Sequence, residues 1–144
     1  MARPFDNDVG RATSGGGGSA PALTASSAPI ANPDGHGRSE TECGDSIEIF
    51  LALDAGIVTR AGYRIEGCAF TLVCGRAAAE LARGKTLAEA RRATRPEEIE
   101  AALGGLPEGN RHCAELASEA VAEALIDAAA NMREPWKKHY RRLY

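Results

Sequence analysis

Two alternating stretches around one short turn constrain this chain more than any other feature. Ile47, Ile49, Leu51 and Leu53 alternate with Ser46, Glu48, Phe50 and Ala52, a period of two that gathers one set of side chains on one face of a strand. Ile57, Thr59, Ala61, Tyr63 and Ile65 then alternate with Val58, Arg60, Arg64 and Glu66. Asp54-Ala55-Gly56 between them suits a tight turn, so the pair reads as an antiparallel hairpin with one covered face.

The rest of the chain reads as helix. Residues 69–83 place Phe70, Val73, Cys74, Ala77 and Leu81 on one stripe, with Arg76, Glu80 and Arg83 outside it. Gly84 ends that helix. Thr86 caps a short helix to about Arg92. Thr94 and Glu97 form a capping-box pattern, with Pro96 in the first turn of a helix to about Leu103. Gly104-Gly105-Leu106-Pro107 breaks it. A long helix follows from about Cys113 to Asn131. Glu115, Glu119, Glu123 and Asp127 give it a wet face, and Ala117, Ala120, Val121, Ala124 and Ala128 a buried one. The fold class is therefore α+β, a small antiparallel β-sheet packed against several α-helices.

Composition says where the core lies. Ile, Leu, Val and Phe number 25 of the 144 residues, and 20 of these fall between Cys43 and Asn131. Residues 1–31, with the glycine run Gly15–Gly18 among Ser, Ala, Thr and Pro, have little to bury and read as a disordered tail. Asn32-Pro33-Asp34-Gly35-His36-Gly37 is turn chemistry and opens a domain over 32–131. Residues 132–144 carry a net charge of +4 on a chain of net −3 and read as a basic C-terminal extension, with Pro135–Tyr144 as a short helix. The folded part is acidic and lacks an aromatic–basic stripe, which argues against nucleic-acid binding. No apolar run is long enough for a membrane span or a secretory signal. A cytoplasmic, reducing address follows, where cysteines bind metal or react rather than pair as disulfides.

Three of the four cysteines stand at element junctions. Cys43 lies in the loop before the first strand, Cys68 follows Gly67 where the second strand gives way to a helix, and Cys113 opens the long helix after His112. Helix N-termini offer free N–H groups and a positive dipole end, which favour the thiolate at Cys68 and Cys113. Thiolate is the form that binds metal and accepts sulfur. Asp45 adds a hard oxygen two residues after Cys43, and Gly44 between them lets the backbone turn. His112 either serves as a ligand or handles protons, or is a helix-capping surface residue. Cys74 shares the apolar stripe and reads as packing. Gly84-Lys85-Thr86 lacks the earlier glycine of a phosphate loop and joins two helices, so it is not one.

The ordered set Cys43-Gly44-Asp45, Gly67-Cys68, Gly84-Lys85-Thr86-Leu87-Ala88-Glu89-Ala90 and His112-Cys113, with Asn32-Pro33 and Gly37 before it, resembles the IscU/NifU N-terminal family of iron–sulfur cluster scaffolds over roughly residues 32–131. The resemblance implies an α+β fold and a non-enzymatic role. A cysteine desulfurase supplies sulfur, iron is bound, and a transient [2Fe–2S] cluster is built and passed to apo iron–sulfur proteins. It implies Cys43, Cys68 and Cys113 as sulfur-accepting residues and cluster ligands, with Asp45 or His112 completing the metal site. The alternative is a zinc-bound, sulfur-accepting partner of a desulfurase, since the same donors suit tetrahedral Zn²⁺. The chain departs from the family at Leu106-Pro107-Glu108-Gly109-Asn110, where the family carries the chaperone-recognition run Leu-Pro-Pro-Val-Lys. The resemblance therefore does not carry docking of the chaperone pair over to this chain. After Gly67-Cys68 it departs again, with Ala69-Phe70-Thr71-Leu72-Val73-Cys74 in place of a Gly-led, Ser/Ala-rich helix.

Overall fold

The expected hairpin is the centre of the sheet. A computed structural model describes residues 23–42 and 44–133. Strands β3 (Ser46–Asp54) and β4 (Ile57–Gly67) pair antiparallel across a two-residue turn. Ala55 (φ 53°) and Gly56 (φ 81°) both take positive φ there, the backbone that matches the twist of two adjoining strands. Strand β2 (Gly35–Glu40) flanks β3, and β1 (Leu23–Ser26) flanks β4, giving the antiparallel order β1-β4-β3-β2.

Helices α1 (Ala69–Ala82), α2 (Leu87–Ala93), α3 (Pro96–Ala102) and α4 (Arg111–Arg133) follow, with a single 3-10 turn at Glu108–Asn110. Helix α4 lies on β2 and β3, α1 lies on β4 and against α4, and α3 packs on α4. Ile47, Ile49, Leu51 and Ile65 are buried on the helix-facing side of the sheet, as the alternation requires. Among the described residues no helix is long and apolar enough to cross a membrane.

The structure corrects several expectations. Part of the stretch read as disordered is a strand: Leu23, Thr24, Ala25 and Ser26 pair with Gly67, Glu66, Ile65 and Arg64. Ala25 is buried there, because a four-residue edge strand can borrow its core from its neighbour. Residues 1–22 of that tail, and 134–144 of the basic extension with its expected helix, lie outside the described residues. The turn read at Asn32–Gly37 ends three residues early, since Gly35, His36 and Gly37 already belong to β2. A Cβ at Gly37 would overlap Ala124 N and Ala120 O of α4, so these glycines serve close packing. In β4, Val58 is buried and Thr59 exposed, the reverse of the simple alternation. A register shift at Ala52/Leu53 changes the face.

Helix α1 does not show the expected stripe. Arg76 is buried, Phe70 is exposed, and Val73 and Leu81 are only half-buried. The helix packs against the sheet, α4, α2 and α3, and the positions left exposed or half-buried, Ala69, Phe70, Val73, Glu80 and Leu81, share the side that the stripe was expected to bury. Thr94 does not cap α3. It closes α2, with Thr94 Oγ1 donating to Ala90 O at 2.8 Å, while Arg95 is the N-cap of α3. Pro96 at the first helical position holds its predecessor in extended backbone, which fixes the cap one residue later.

Candidate functional site

Three junctions meet at one end of the sheet: the loop entering β3, the step from β4 to α1, and the first turn of α4. Thr41 closes the first. Its N–H donates to Asp45 O at 2.8 Å, its hydroxyl accepts from Asp45 N at 3.2 Å, and Gly44 N donates to Thr41 O at 3.0 Å. Gly44 has φ +98°, open to glycine at no steric cost. Asp45 follows this loop directly into β3. Cys43 itself lies outside the described residues.

Gly67 and Cys68 form the second junction. Cys68 is the N-cap residue of α1, in extended backbone, with its thiol exposed. A Cβ at Gly67 would stand 2.9 Å from Asp45 Cγ and 3.0 Å from Thr71 Cγ2. The missing side chain is therefore the space into which Asp45 and Thr71 fit. At the third junction Cys113 is buried in the first turn of α4 and His112 beside it is exposed. Cys113 comes two residues after the start of α4 rather than opening it, because α4 begins at Arg111.

One hydroxyl links these pieces. Thr71 Oγ1 donates to Asp45 Oδ2 at 3.1 Å, and it lies 3.4 Å from Cys68 Sγ and 3.5 Å from Cys113 Sγ. His112 Nε2 stands 3.6 Å from Cys113 Sγ. Four of the five residues expected at the site (Asp45, Cys68, His112 and Cys113) are thus joined through contacts of hydrogen-bond length. Thr71 is the residue that sequence reasoning missed. The available signal was its spacing, since the third residue after an N-cap is where side chains meet across the first helical turn.

The two thiols differ electrostatically. Burial pushes Cys68 up, but the Thr71 hydroxyl and the backbone N–H groups of Thr71 and Phe70 outweigh it and hold the thiol below its ordinary value. Burial raises Cys113 and the neighbouring Cys68 adds to the rise, with the Thr71 hydroxyl only partly offsetting them. Cys74 is fully buried in the core, and burial followed by the charges of Cys113, Cys68 and Glu100 pushes it up to about 12. That environment suits a packed thiol.

Two soft thiols, a carboxylate and an imidazole form a donor set that suits iron or zinc. Among the described residues, no group of three or more His, Cys, Asp and Glu side chains is already disposed around one metal ion. The donors are instead tied to the Thr71 hydroxyl and to each other. Elsewhere, His36 is a strand residue that bonds Glu48 Oε2 at 2.8 Å and stacks on Phe50, paired with the middle of β3 and away from the Asp45 end. The Gly84-Lys85-Thr86 loop joins α1 to α2, with Lys85 Nζ donating to Leu81 O at 2.6 Å.

Comparison with known proteins agrees with this architecture. Residues 16–134 match the family described as NifU-like N terminal domain. The chain is 35% identical over 85 residues to iron-sulfur cluster assembly scaffold protein IscU 1 of Archaeoglobus fulgidus, covering 59% of this chain and 55% of that protein. It is 45% identical over 84 residues to nitrogen fixation protein NifU of Cereibacter sphaeroides, covering 58% of this chain and 34% of that one. The chain thus spans about half the length of the archaeal relative and about a third of the bacterial one. Two solved structures share the fold. A NifU-like N-terminal protein from Brucella abortus superposes with TM-score 0.55 at 21% identity, covering 70% of this chain and 83% of that one. A putative scaffold protein for the SUF system from Fervidobacterium islandicum AW-1 gives 0.53 at 19%, covering 67% and 83%. With the family match running through β1 to α4 and enclosing every junction of the site, the chain belongs to the NifU-like N-terminal domain family.

Proposed function

We propose that this domain is a scaffold on which a transient [2Fe–2S] cluster is assembled from iron and desulfurase-derived sulfur and then passed to apo iron–sulfur proteins. The observation that carries the reading is the meeting of Asp45, Cys68 and Cys113 around the Thr71 hydroxyl, with His112 against Cys113, from three junctions remote along the chain. Cys43, two residues before Asp45, supplies the third thiol. Full Cys₄ sites hold clusters firmly. Three thiols with one harder donor, Asp45 or His112, hold a cluster less firmly, which suits cargo that must leave.

The residues divide the work by environment. Cys68 is exposed and its thiolate is favoured by the first turn of α1. It therefore faces an incoming persulfide and ionises before Cys113. Cys113 is buried, so it meets cargo only from the inner side of the site. Nothing in this arrangement calls for a turnover reaction of the domain's own. A cysteine desulfurase and apo iron–sulfur proteins are the partners, and no observation favours the zinc-bound sulfur-accepting reading over this one.

The test is anaerobic incubation of the chain with ferrous iron, cysteine, a cysteine desulfurase and dithiothreitol as the reductant that converts persulfide sulfur to sulfide, followed by desalting and assay of iron, acid-labile sulfide and visible absorption. The expected product is coloured, with near-stoichiometric iron and sulfide, and loses both in Cys68→Ser and Cys113→Ser. It also gives up its cluster to an added apo-ferredoxin. A colourless, iron-free product from the unaltered chain overturns the scaffold reading.

A further inference from the structure

Thr71 lies in the stretch where this chain leaves the usual pattern after Gly67-Cys68, and it is fully buried. Its hydroxyl touches Asp45, Cys68 and Cys113 at once, at 3.1, 3.4 and 3.5 Å. A hydroxyl has one proton to donate. It cannot serve three acceptors together, and the shortest contact is the one to Asp45 Oδ2. The side chain is also held against turning away. It is β-branched on a helix, which restricts its first torsion. Its methyl lies where a Cβ at Gly67 would come within 3.0 Å. With the methyl seated over Gly67, the hydroxyl is turned into the site.

Resting on the scaffold reading, we propose that Thr71 is the positioning residue of the site, whose hydroxyl holds the Asp45 carboxylate beside Cys68 and Cys113 so that the hard donor is in place when metal arrives. Without that bond, Asp45 is a half-buried carboxylate at a loop–strand boundary, free to turn toward water. Orienting it would then fall to the binding step and weaken the hold on metal. Thr71 does not itself ligate; it acts through Asp45.

Anaerobic cobalt(II) titration tests this, because thiolate-to-cobalt charge transfer reports the cysteines and the visible d–d bands report the whole ligand set. The variants are Thr71→Val, Thr71→Ser, Asp45→Ala and the double variant Asp45→Ala/Thr71→Val, each checked for folding by circular dichroism. Thr71→Val should bind cobalt about tenfold more weakly, with displaced d–d bands. Thr71→Ser should restore both affinity and bands. In the Asp45→Ala background, Thr71→Val should add nothing. Thr71→Ala, which also lacks the hydroxyl but adds no bulk, takes the place of Thr71→Val if the latter is unfolded. The proposal is overturned if the hydroxyl-free variant binds like the unaltered chain, if its loss persists undiminished without Asp45, or if serine fails to restore it. An unaltered chain that takes up no more cobalt than Cys68→Ser/Cys113→Ser instead sinks the scaffold reading, and this proposal with it.

Discussion

Adding one methyl group at Gly37 tests how α4, and with it Cys113, is seated. Helix α4 lies with its backbone directly on β2. A Cβ at Gly37 would overlap Ala124 N and Ala120 O and come to 2.8 Å from Glu123 Cβ. The backbone atoms cannot rotate aside as a side-chain tip would, so α4 must move off by about 1 Å to restore van der Waals contact. Overpacking of this kind costs about 1–3 kcal/mol, and two backbone overlaps place Gly37→Ala near the upper end, about 3 kcal/mol. Against a total stability of about 5–15 kcal/mol that is a large fraction. With a urea m-value of about 2 kcal/mol/M, the midpoint should fall by about 1.5 M. The displacement reaches the site, because Ala120 is seven residues from Cys113, about 10 Å along the helix, and the Cys113–Thr71 contact is 3.5 Å. The assay is urea unfolding followed by circular dichroism, with Gly109→Ala as the control. Nothing stands within 4 Å of a Cβ at Gly109, so that change should stay within about 0.5 kcal/mol. Equal midpoints for Gly37→Ala and the unaltered chain would refute the close seating of α4 on β2.

Other consequences are as direct. Ser39 Oγ donates to Leu116 O at 2.6 Å in a buried position bridging β2 to α4, so Ser39→Ala should lower stability by about 1 kcal/mol in the same urea assay. Thr86 and Glu89 form a reciprocal capping box on α2, and Thr86→Ala should cost about 1 kcal/mol. The Glu89 carboxyl is held below its usual value by backbone and side-chain bonds to Thr86. Its contribution is therefore complete above the ordinary glutamate range and fades as pH falls through its lowered value in the folded chain. Glu89→Gln should accordingly flatten the acid side of the stability profile. Iodoacetamide followed by peptide mass mapping should label Cys68 first, with a pH midpoint below that of an ordinary thiol, and Cys113 later, with a midpoint above it. Cys74, fully buried and pushed up to about 12, should react only on unfolding. Labelling of Cys74 at the rate of Cys68 in the folded chain would contradict the packing described above.

The hairpin and the wet face of α4 were legible because most of their local periodicity survives in the finished fold, and α1 to α3 because glycine, proline and capping residues mark their ends. Asp45, Cys68, His112 and Cys113 were legible as candidates from their junctions and from the family resemblance. What escaped were features set by contacts between distant segments. Strand β1 has no strong alternation of its own, and its order comes from pairing with residues 64–67. Gly35 and Gly37 carry the same letters as turn glycines, and only the helix pressed on them shows that they serve packing. Arg76 fell on a side of α1 that neighbouring elements cover, while Phe70 fell on the side left to solvent. Thr71 looked like an ordinary helical residue until Asp45, from another junction, closed on it.

The scarcity of large apolar residues can now be understood together with the site. Helix α1 buries Ala77, Ala78, Ala79 and Ala82, and α4 buries Ala114, Ala117, Ala120, Ala124 and Ala128. These two helices pack on each other and on the sheet. Interaxial distance depends on the side chains at the contact, and small ones bring helices to the short end of about 8–10 Å. Close approach is what the site requires, since Cys68 and Thr71 belong to the start of one helix and Cys113 to the start of the other, and a single hydroxyl spans between their thiols. A leucine-rich interface would supply more hydrophobic stabilisation and move the two helix starts apart, leaving Thr71 able to reach one sulfur but not both. The alanine core thus gives up apolar burial for proximity, and that proximity places two cysteines and an aspartate from separate junctions around one oxygen.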